Sequence, residues 1–466
     1  MEDIPVAPDA TDIAIRSDGC IRIVVPPDER EASLRVIPPE PNTSVPGQLP
    51  KMEVFGSMIY PAGSYKLMPG TSFSIYAWTG GTVSVSGSDA LKQSIYRATS
   101  TNYKAIAEFH CILHAAREAA QKATTAADRI GPRLVICGQR GTGKHTIMRT
   151  LANYAARFSW APLVVDCSVE SQTITVPGSI GVASWDLPWS IDEDVSNIIA
   201  TPIGCGLTSV HSNVSGKSPE TISAVYQHAV NRALDLINRK LHNNVNNVIA
   251  PSGAIVCLPA LPRRQGAEQV INVIDQLEAT HVLCLGDDYL LSQLQQRYGT
   301  AALSDGTADP HAAYIGGGGQ TLLIESPTVG NAPHQRTEKQ IREDQWRRCR
   351  LYFTGGAAIS VQPRAIRKPH RWAEFYRFIE KGDRCLAERL RIEDLVMNNK
   401  IQNVVGMLYD LPAGSSDSAL LTSSVLSFVH LREADATEIT LWCTTPEEGL
   451  PGRPAIVLTD LMWPGI

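Results

Sequence analysis

The chain has 466 residues and a net charge of -5, with 43% apolar and 19% charged residues, 35 Gly and 30 Pro. At roughly 100 to 200 residues per domain, this length accommodates several cores and excludes a small disulfide-stapled module. The composition excludes a coiled coil or a disordered chain, and the acidic balance excludes coating nucleic acid by bulk charge, so any RNA contact has to be local.

From Asp18 to Gly87 short apolar alternations are broken by turn residues: IRIVV at 21–25, SLRVI at 33–37, MEVFG at 52–56, SFSIYAW at 72–78 and TVSVSG at 82–87. This pattern predicts a strand-rich N-terminal domain over 1–100, with the proline-rich stretch 38–50 as an inserted loop. From Thr101 to Ala127 the period becomes helical, with Ile106, Ile112, Leu113 and Ala116 on one face.

Strand and helix signals then alternate. Strands are predicted at 134–137, 163–167, 254–258, 281–286 and 321–325, and helices at 144–157 and near 220–240, 266–278 and 288–297. Such alternation predicts an α/β domain, 101–355, built on a parallel sheet wrapped by helices. Residues 299–320, with Gly316 to Gly319, read as an extended loop, and 335–350 as a charge-rich helix. Strand patterns in QNVVGMLYDL, VLSFVHLREA, EITLWCTT and PAIVLTDLMW predict a β-rich C-terminal domain over 356–466.

The N-terminal MEDIPVAPDA is acidic where a secretory signal is basic and then apolar, and no run of about 18 apolar residues follows. A soluble, non-secreted protein is expected. Ten cysteines without Cys-x-x-Cys or zinc-type spacing read as reduced core thiols of an intracellular protein.

The strand LVIC runs into Gly138, Gln139, Arg140, Gly141, Thr142, Gly143 and Lys144, a G-x-x-x-x-G-K pattern followed by an amphipathic helix. In this arrangement backbone N–H groups form an anion-sized nest, the helix N-terminus adds partial positive charge, and the lysine reaches the β- and γ-phosphates. A purine nucleoside triphosphate, ATP, is the expected ligand. The next position, where a Ser or Thr hydroxyl holds Mg²⁺, is His145, with Thr146 one step late and about 100° further round the helix. An imidazole suits Mg²⁺ poorly, so the metal is expected to be weakly held or absent.

These residues, with MEVFGSMI, AWTGGTVSVSG, GPRLVICG, NYAAR (153–157), TITVPGSIG (173–181) and the terminal TDLMW, give a chain that resembles the CLP-type polynucleotide 5′-hydroxyl kinase family over nearly its full length. That family includes a eukaryotic subunit of the pre-mRNA cleavage complex acting in 3′-end processing. The resemblance implies a small β domain, a P-loop kinase-like domain with a lid, and a β-rich C-terminal domain. It also implies nuclear localisation, and partners among the cleavage and polyadenylation subunits.

Active members carry an Asp-x-Gly-Gln element after the second strand, and ungapped counting from Lys144 or from Pro177 puts Ser168 at the Asp and Ser171 at the Gln. A serine hydroxyl cannot act as the general base for a hydroxyl nucleophile. Asp166, two residues earlier, could serve only if the strand end shifted by about 6 to 7 Å. The family's aromatic RNA clamp has no Trp or Tyr counterpart in LPALPRRQGAEQ (258–269), whereas Arg336 and Arg342 match lid arginines by position. The basic stretches WRRCR (346–350) and RAIRKPHRW (364–372) could touch RNA phosphates, with a solvated rim or a partner-protein contact as the favoured reading.

Two readings follow. The favoured one is a nucleotide-binding scaffold that has lost kinase chemistry, its RNA contact weak or indirect. The alternative is an active polynucleotide 5′-hydroxyl kinase, in mRNA 3′-end processing or tRNA splicing, with Thr146 and Asp166 as substitute groups.

Overall fold

A computed structural model describes residues 10–38, 50–61, 63–98, 103–189, 191, 200–212, 214, 218, 220–243, 247–298, 337–355, 361–398, 400–412, 414–435 and 437–465, with the backbone of Leu322–Ser326. The N-terminal part holds strands β1 (Thr11–Ile15), β2 (Gly19–Val24), β3 (Ser33–Ile37), β4 (Met52–Val54), β5 (Ser57–Ile59), β6 (Ser64–Lys66), β7 (Ser72–Ala77) and β8 (Gly81–Ser86), then α1 (Asp89–Gln93) and β9 (Ile95–Arg97). They form two antiparallel sheets, β1-β8-β3-β6 and β5-β4-β7-β2-β9. The alternating Ile21, Ile23, Leu34, Val36, Ile75, Val83 and Val85 fill one shared core, as period-2 patterning requires of a sandwich. Most of the proline-rich stretch, 39–49, lies outside the described residues.

Helix α2 (Tyr103–Lys122) follows. Ile106 and Leu113 face the core as expected, but Ile112 is exposed; Phe109, His110, Arg117 and Ala120 complete the buried face.

The central part comprises β10 (Arg133–Gly138), α3 (Lys144–Arg157), β11 (Leu163–Asp166), β12 (Ser179–Ser184), β13 (Ala200–Gly204), α4 (Ala224–Asn243), α5 (Ile249–Ser252), β14 (Ala254–Cys257), α6 (Arg263–Leu277), β15 (His281–Leu285), α7 (Asp288–Tyr298), β16 (Leu322–Ser326) and α8 (Glu338–Thr354). The sheet order is β13-β12-β11-β14-β10-β15-β16. Strands β11, β14, β10, β15 and β16 are parallel, and the apolar runs of β11, β14, β10 and β15 are buried on both faces. At one edge of this parallel sheet β12 and β13 add antiparallel. The loop 299–320 lies outside the described residues.

The C-terminal part is a second seven-stranded sheet, ordered β17-β22-β21-β20-β23-β18-β19. Its elements are β17 (Arg364–Pro369), β18 (Glu374–Lys381), β19 (Arg384–Leu390), α9 (Ile392–Met397), β20 (Val404–Tyr409), β21 (Ser427–Ala434), β22 (Glu438–Cys443) and β23 (Ala455–Met462). Helix α8 joins it to the central part. Trp346 donates its indole N–H to the Met462 carbonyl at 2.8 Å, and Phe353 stacks on Trp463 with ring centroids 5.2 Å apart. All ten cysteines are free; Cys111 is exposed, Cys385 is half-buried and the rest are buried. No described helix is long and apolar enough to cross a membrane.

Candidate nucleotide-binding site

Strand β10 delivers the loop. Gly138 (φ 120), Gly141 (φ 80) and Gly143 (φ 85) all have positive φ. At Gly138 the requirement is also steric, because an added Cβ would lie 2.2 Å from the Leu285 carbonyl of β15. Helix α3 begins with Gly143 as its N-cap, without a side-chain cap, which leaves the helix N-terminus to an anion. Gln139, Arg140 and Gly141 form the exposed tip, while buried Thr142 donates its hydroxyl to the Gln139 carbonyl at 2.9 Å.

Lys144 is buried, and its ammonium donates to the carbonyls of Gly138 (2.9 Å) and Gln139 (2.5 Å). Burial lowers its pKa, opposed by Cys257, Cys137 and Asp287. The lysine is thus held against its own loop.

His145 turns toward β11. Its Nε2 lies 3.0 Å from Asp166 Oδ1. The Asp166 carboxylate thus meets the first turn of α3 from the end of β11, through His145. Asp166 is wholly buried. Oδ1 also accepts the Ser168 N–H (3.0 Å), and Oδ2 accepts the Thr173 N–H (2.7 Å) and hydroxyl (2.5 Å). A carboxylate has about four acceptor sites, and all four are taken. Burial alone would raise the Asp166 pKa; His145, the Thr173 hydroxyl and the Ser168 N–H outweigh it and hold the carboxyl below its ordinary value.

Ser168 is buried, and its hydroxyl accepts the N–H of half-buried Ser171 at 3.2 Å. Neither presents a group able to take a proton from a nucleophile. The glutamine that sequence counting passed over is Gln172, one residue past the expected position. It is buried, with its amide donating to the carbonyls of Asp166, Ser168 and Ser179 while its oxygen accepts the N–H groups of Thr173 and Ile174. Gln172 fastens the 167–174 turn to β12. Its only sequence signal was adjacency to the counted position.

Of the remaining residues, Thr146 is half-buried on the first turn of α3, and its carbonyl accepts the Thr150 hydroxyl at 2.8 Å. Arg336 lies outside the described residues, and Arg342 is exposed on α8. The described contact between α8 and the loop region runs through Glu170 instead. Its carboxylate pairs with Arg140 at 2.8 Å and its carbonyl accepts the Gln345 amide at 3.2 Å. Of the basic stretches, Arg347 pairs with Asp344 and Cys349 is buried, while RAIRKP forms the largely exposed edge strand β17, where Lys368 pairs with Glu447.

A sequence model described as the P-loop of mRNA cleavage and polyadenylation factor CLP1 matches residues 138–304, and one described as the N-terminal beta-sandwich domain of polyadenylation factor matches 22–120. The chain belongs to the Clp1 family. Among Clp1 relatives, the protein CLP1 homolog of Arabidopsis thaliana is 27% identical over 270 residues, 57% of each chain. The polyribonucleotide 5′-hydroxyl-kinase Clp1 of Xenopus tropicalis is 24% identical over 418 residues, 88% of this chain and 87% of its own. The matched stretch spans less than two thirds of the first curated relatives, 57% of the Arabidopsis protein and 63% of the Nematostella vectensis one. The solved complex of Clp1p with Pcf11p (454–563) superposes with a TM-score of 0.77 at 18% identity, covering 99% of both chains. A second structure, titled for the extended interface between Pcf11p and Clp1p and for ATP loss in a point mutant, gives 0.77 at 17%, covering 98% of this chain and 100% of its own. The likeness establishes the three-part fold.

Proposed function

We propose that this Clp1-family chain is a nucleotide-binding scaffold subunit of the nuclear machinery that cleaves and polyadenylates pre-mRNA, and that it does not transfer phosphate to RNA. The observation that carries the second half is Asp166. It is the acidic side chain at the end of the second strand, facing the first turn of α3, and its four acceptor sites are filled by His145, Ser168 and Thr173. A general base needs a free lone pair within hydrogen-bond reach of the substrate proton. Ser168, Ser171 and Gln172 place neither a carboxylate nor an imidazole there instead, and the Glu170 carboxylate is paired with Arg140.

The first half is supported by the intact loop geometry and by the names of the relatives, one of which is the mRNA cleavage and polyadenylation factor CLP1 of Phaeosphaeria nodorum. A protein segment of the Pcf11 kind is the expected partner, with ATP as the bound nucleotide and RNA contact indirect. In this reading the nucleotide stabilises the fold that carries the partner surface, by binding the native state alone. Affinity purification from nuclear extract with parent and Lys144→Ala chains tests it. Cleavage and polyadenylation subunits should accompany the parent and be depleted with the nucleotide-free variant. Recovery of no RNA-processing proteins by the parent defeats the scaffold reading.

A further inference from the structure

Loops of this type hold Mg²⁺ through the Ser or Thr hydroxyl after the lysine and an acidic side chain at a nearby strand end. The residues present do not fit that ion. Position 145 offers an imidazole, and the acidic side chain, Asp166, has no acceptor site left. Mg²⁺ demands near-ideal octahedral oxygen geometry, and a carboxylate enclosed by four donors cannot turn toward it without breaking buried bonds.

We infer that this chain binds its nucleoside triphosphate without a divalent cation, the His145–Asp166 pair occupying the position where the hydroxyl, the carboxylate and the metal would otherwise meet. Asp166 is wholly buried, whereas the His145 side chain is 30% exposed, so the pair presents only its imidazole to a ligand or to solvent. With Nε2 engaged by Asp166, the other ring nitrogen donates to a phosphate oxygen when both nitrogens carry protons, and the buried carboxylate fixes the ring's orientation in advance. Lys144 and the uncapped N-terminus of α3 supply the rest of the positive field. Magnesium then has no role in affinity: the metal-free triphosphate, the more negative species, is the one the site accepts.

The inference rests on the nucleotide-binding reading, and one experiment separates the two. Calorimetric titration of the full chain with ATP, after removal of copurified nucleotide, is run in excess EDTA and in excess MgCl₂. Affinity in EDTA should equal or exceed that in MgCl₂. An EDTA affinity about tenfold weaker or more overturns the inference while leaving nucleotide binding intact, and absence of binding in both defeats the reading beneath it. His145→Ser, checked for folding by its thermal melt, returns the hydroxyl and frees one acceptor site of Asp166. It should weaken EDTA binding by about tenfold relative to MgCl₂, and an unchanged affinity in both buffers would remove His145 from the account.

Discussion

Helix α3 has two ends with opposite character. At its N-terminus, the side chains that loop chemistry would direct outward are turned onto the protein: Lys144 onto its own loop and His145 onto Asp166. At its C-terminal half, Asn153, Tyr154 and Arg157 reach into the N-terminal sandwich. Asn153 is wholly buried, donating to the Phe55 carbonyl (2.8 Å) and the Trp189 carbonyl (3.2 Å) and accepting from the Trp185 indole (2.9 Å) and the Trp189 N–H (2.9 Å). Tyr154 donates its hydroxyl to Glu53, and Arg157 donates to the Gly56 carbonyl at 3.1 Å. Gly56 has φ 77, and a Cβ there would lie 2.8 Å from the Thr150 carbonyl, so sandwich and helix touch backbone to backbone. One helix thus joins the phosphate loop rigidly to a neighbouring domain while its chemical groups are engaged internally. This arrangement suits a ligand that orders domains better than one that is turned over.

The comparison breaks most sharply at Asn153. Asn153→Ala leaves the Trp185 indole and the Phe55 carbonyl buried without partners and should destabilise the chain by about 3 kcal/mol or more. Chemical denaturation measures this, and a change below about 0.5 kcal/mol would mean that the sandwich is not anchored through α3. At the other end, Asp166→Asn sets an amide donor among four donors and should cost about 2 kcal/mol in the nucleotide-free chain. A catalytic carboxylate held without such donors would tolerate the change with little loss of stability.

A smaller effect sharpens the picture by pH. His110 packs against Tyr154 and Phe158, and burial, followed by the charges of Arg117 and His114, lowers its pKa to about 3. The unfolded chain takes up a proton below about pH 6.5 while the folded chain does not until about pH 3, so the stabilisation is complete above 6.5 and is lost as pH falls. Between pH 7.5 and 5.5 this amounts to about 1 to 2 kcal/mol, and His110→Phe should remove that share of the slope in urea melts.

How much of this was legible in the sequence follows from what each segment buries. The strands of the parallel sheet and helix α3 were readable because apolar runs and the glycine pattern are local signals. Strand β18 and the edge strand β19 were not, since EFYRFIEK and RCLAERL keep charged residues on a solvated face that masks the alternation. Strand β17 carries a basic run whose pairing with β22 nothing local announces. At the site, the loop was plain, and the departure at His145 was visible as a substitution. The bond from His145 to Asp166 depends on where β11 ends relative to α3, a distance across the fold that residue counting does not measure. Gln172 was hidden for the same reason, its role being set by the turn that brings it onto Ser179.

The most direct measurement is transfer of labelled γ-phosphate from ATP to an oligoribonucleotide with a 5′-hydroxyl end, run beside the Xenopus tropicalis polyribonucleotide 5′-hydroxyl-kinase Clp1 on the same substrate. The expected result is bound ATP with transfer at least about a thousandfold slower than the Xenopus protein, since loss of a general base typically removes two to four orders of magnitude. Turnover within about tenfold of that protein, abolished by Asp166→Asn in a variant that stays folded, would show that the engaged carboxylate is a working base and would contradict the account.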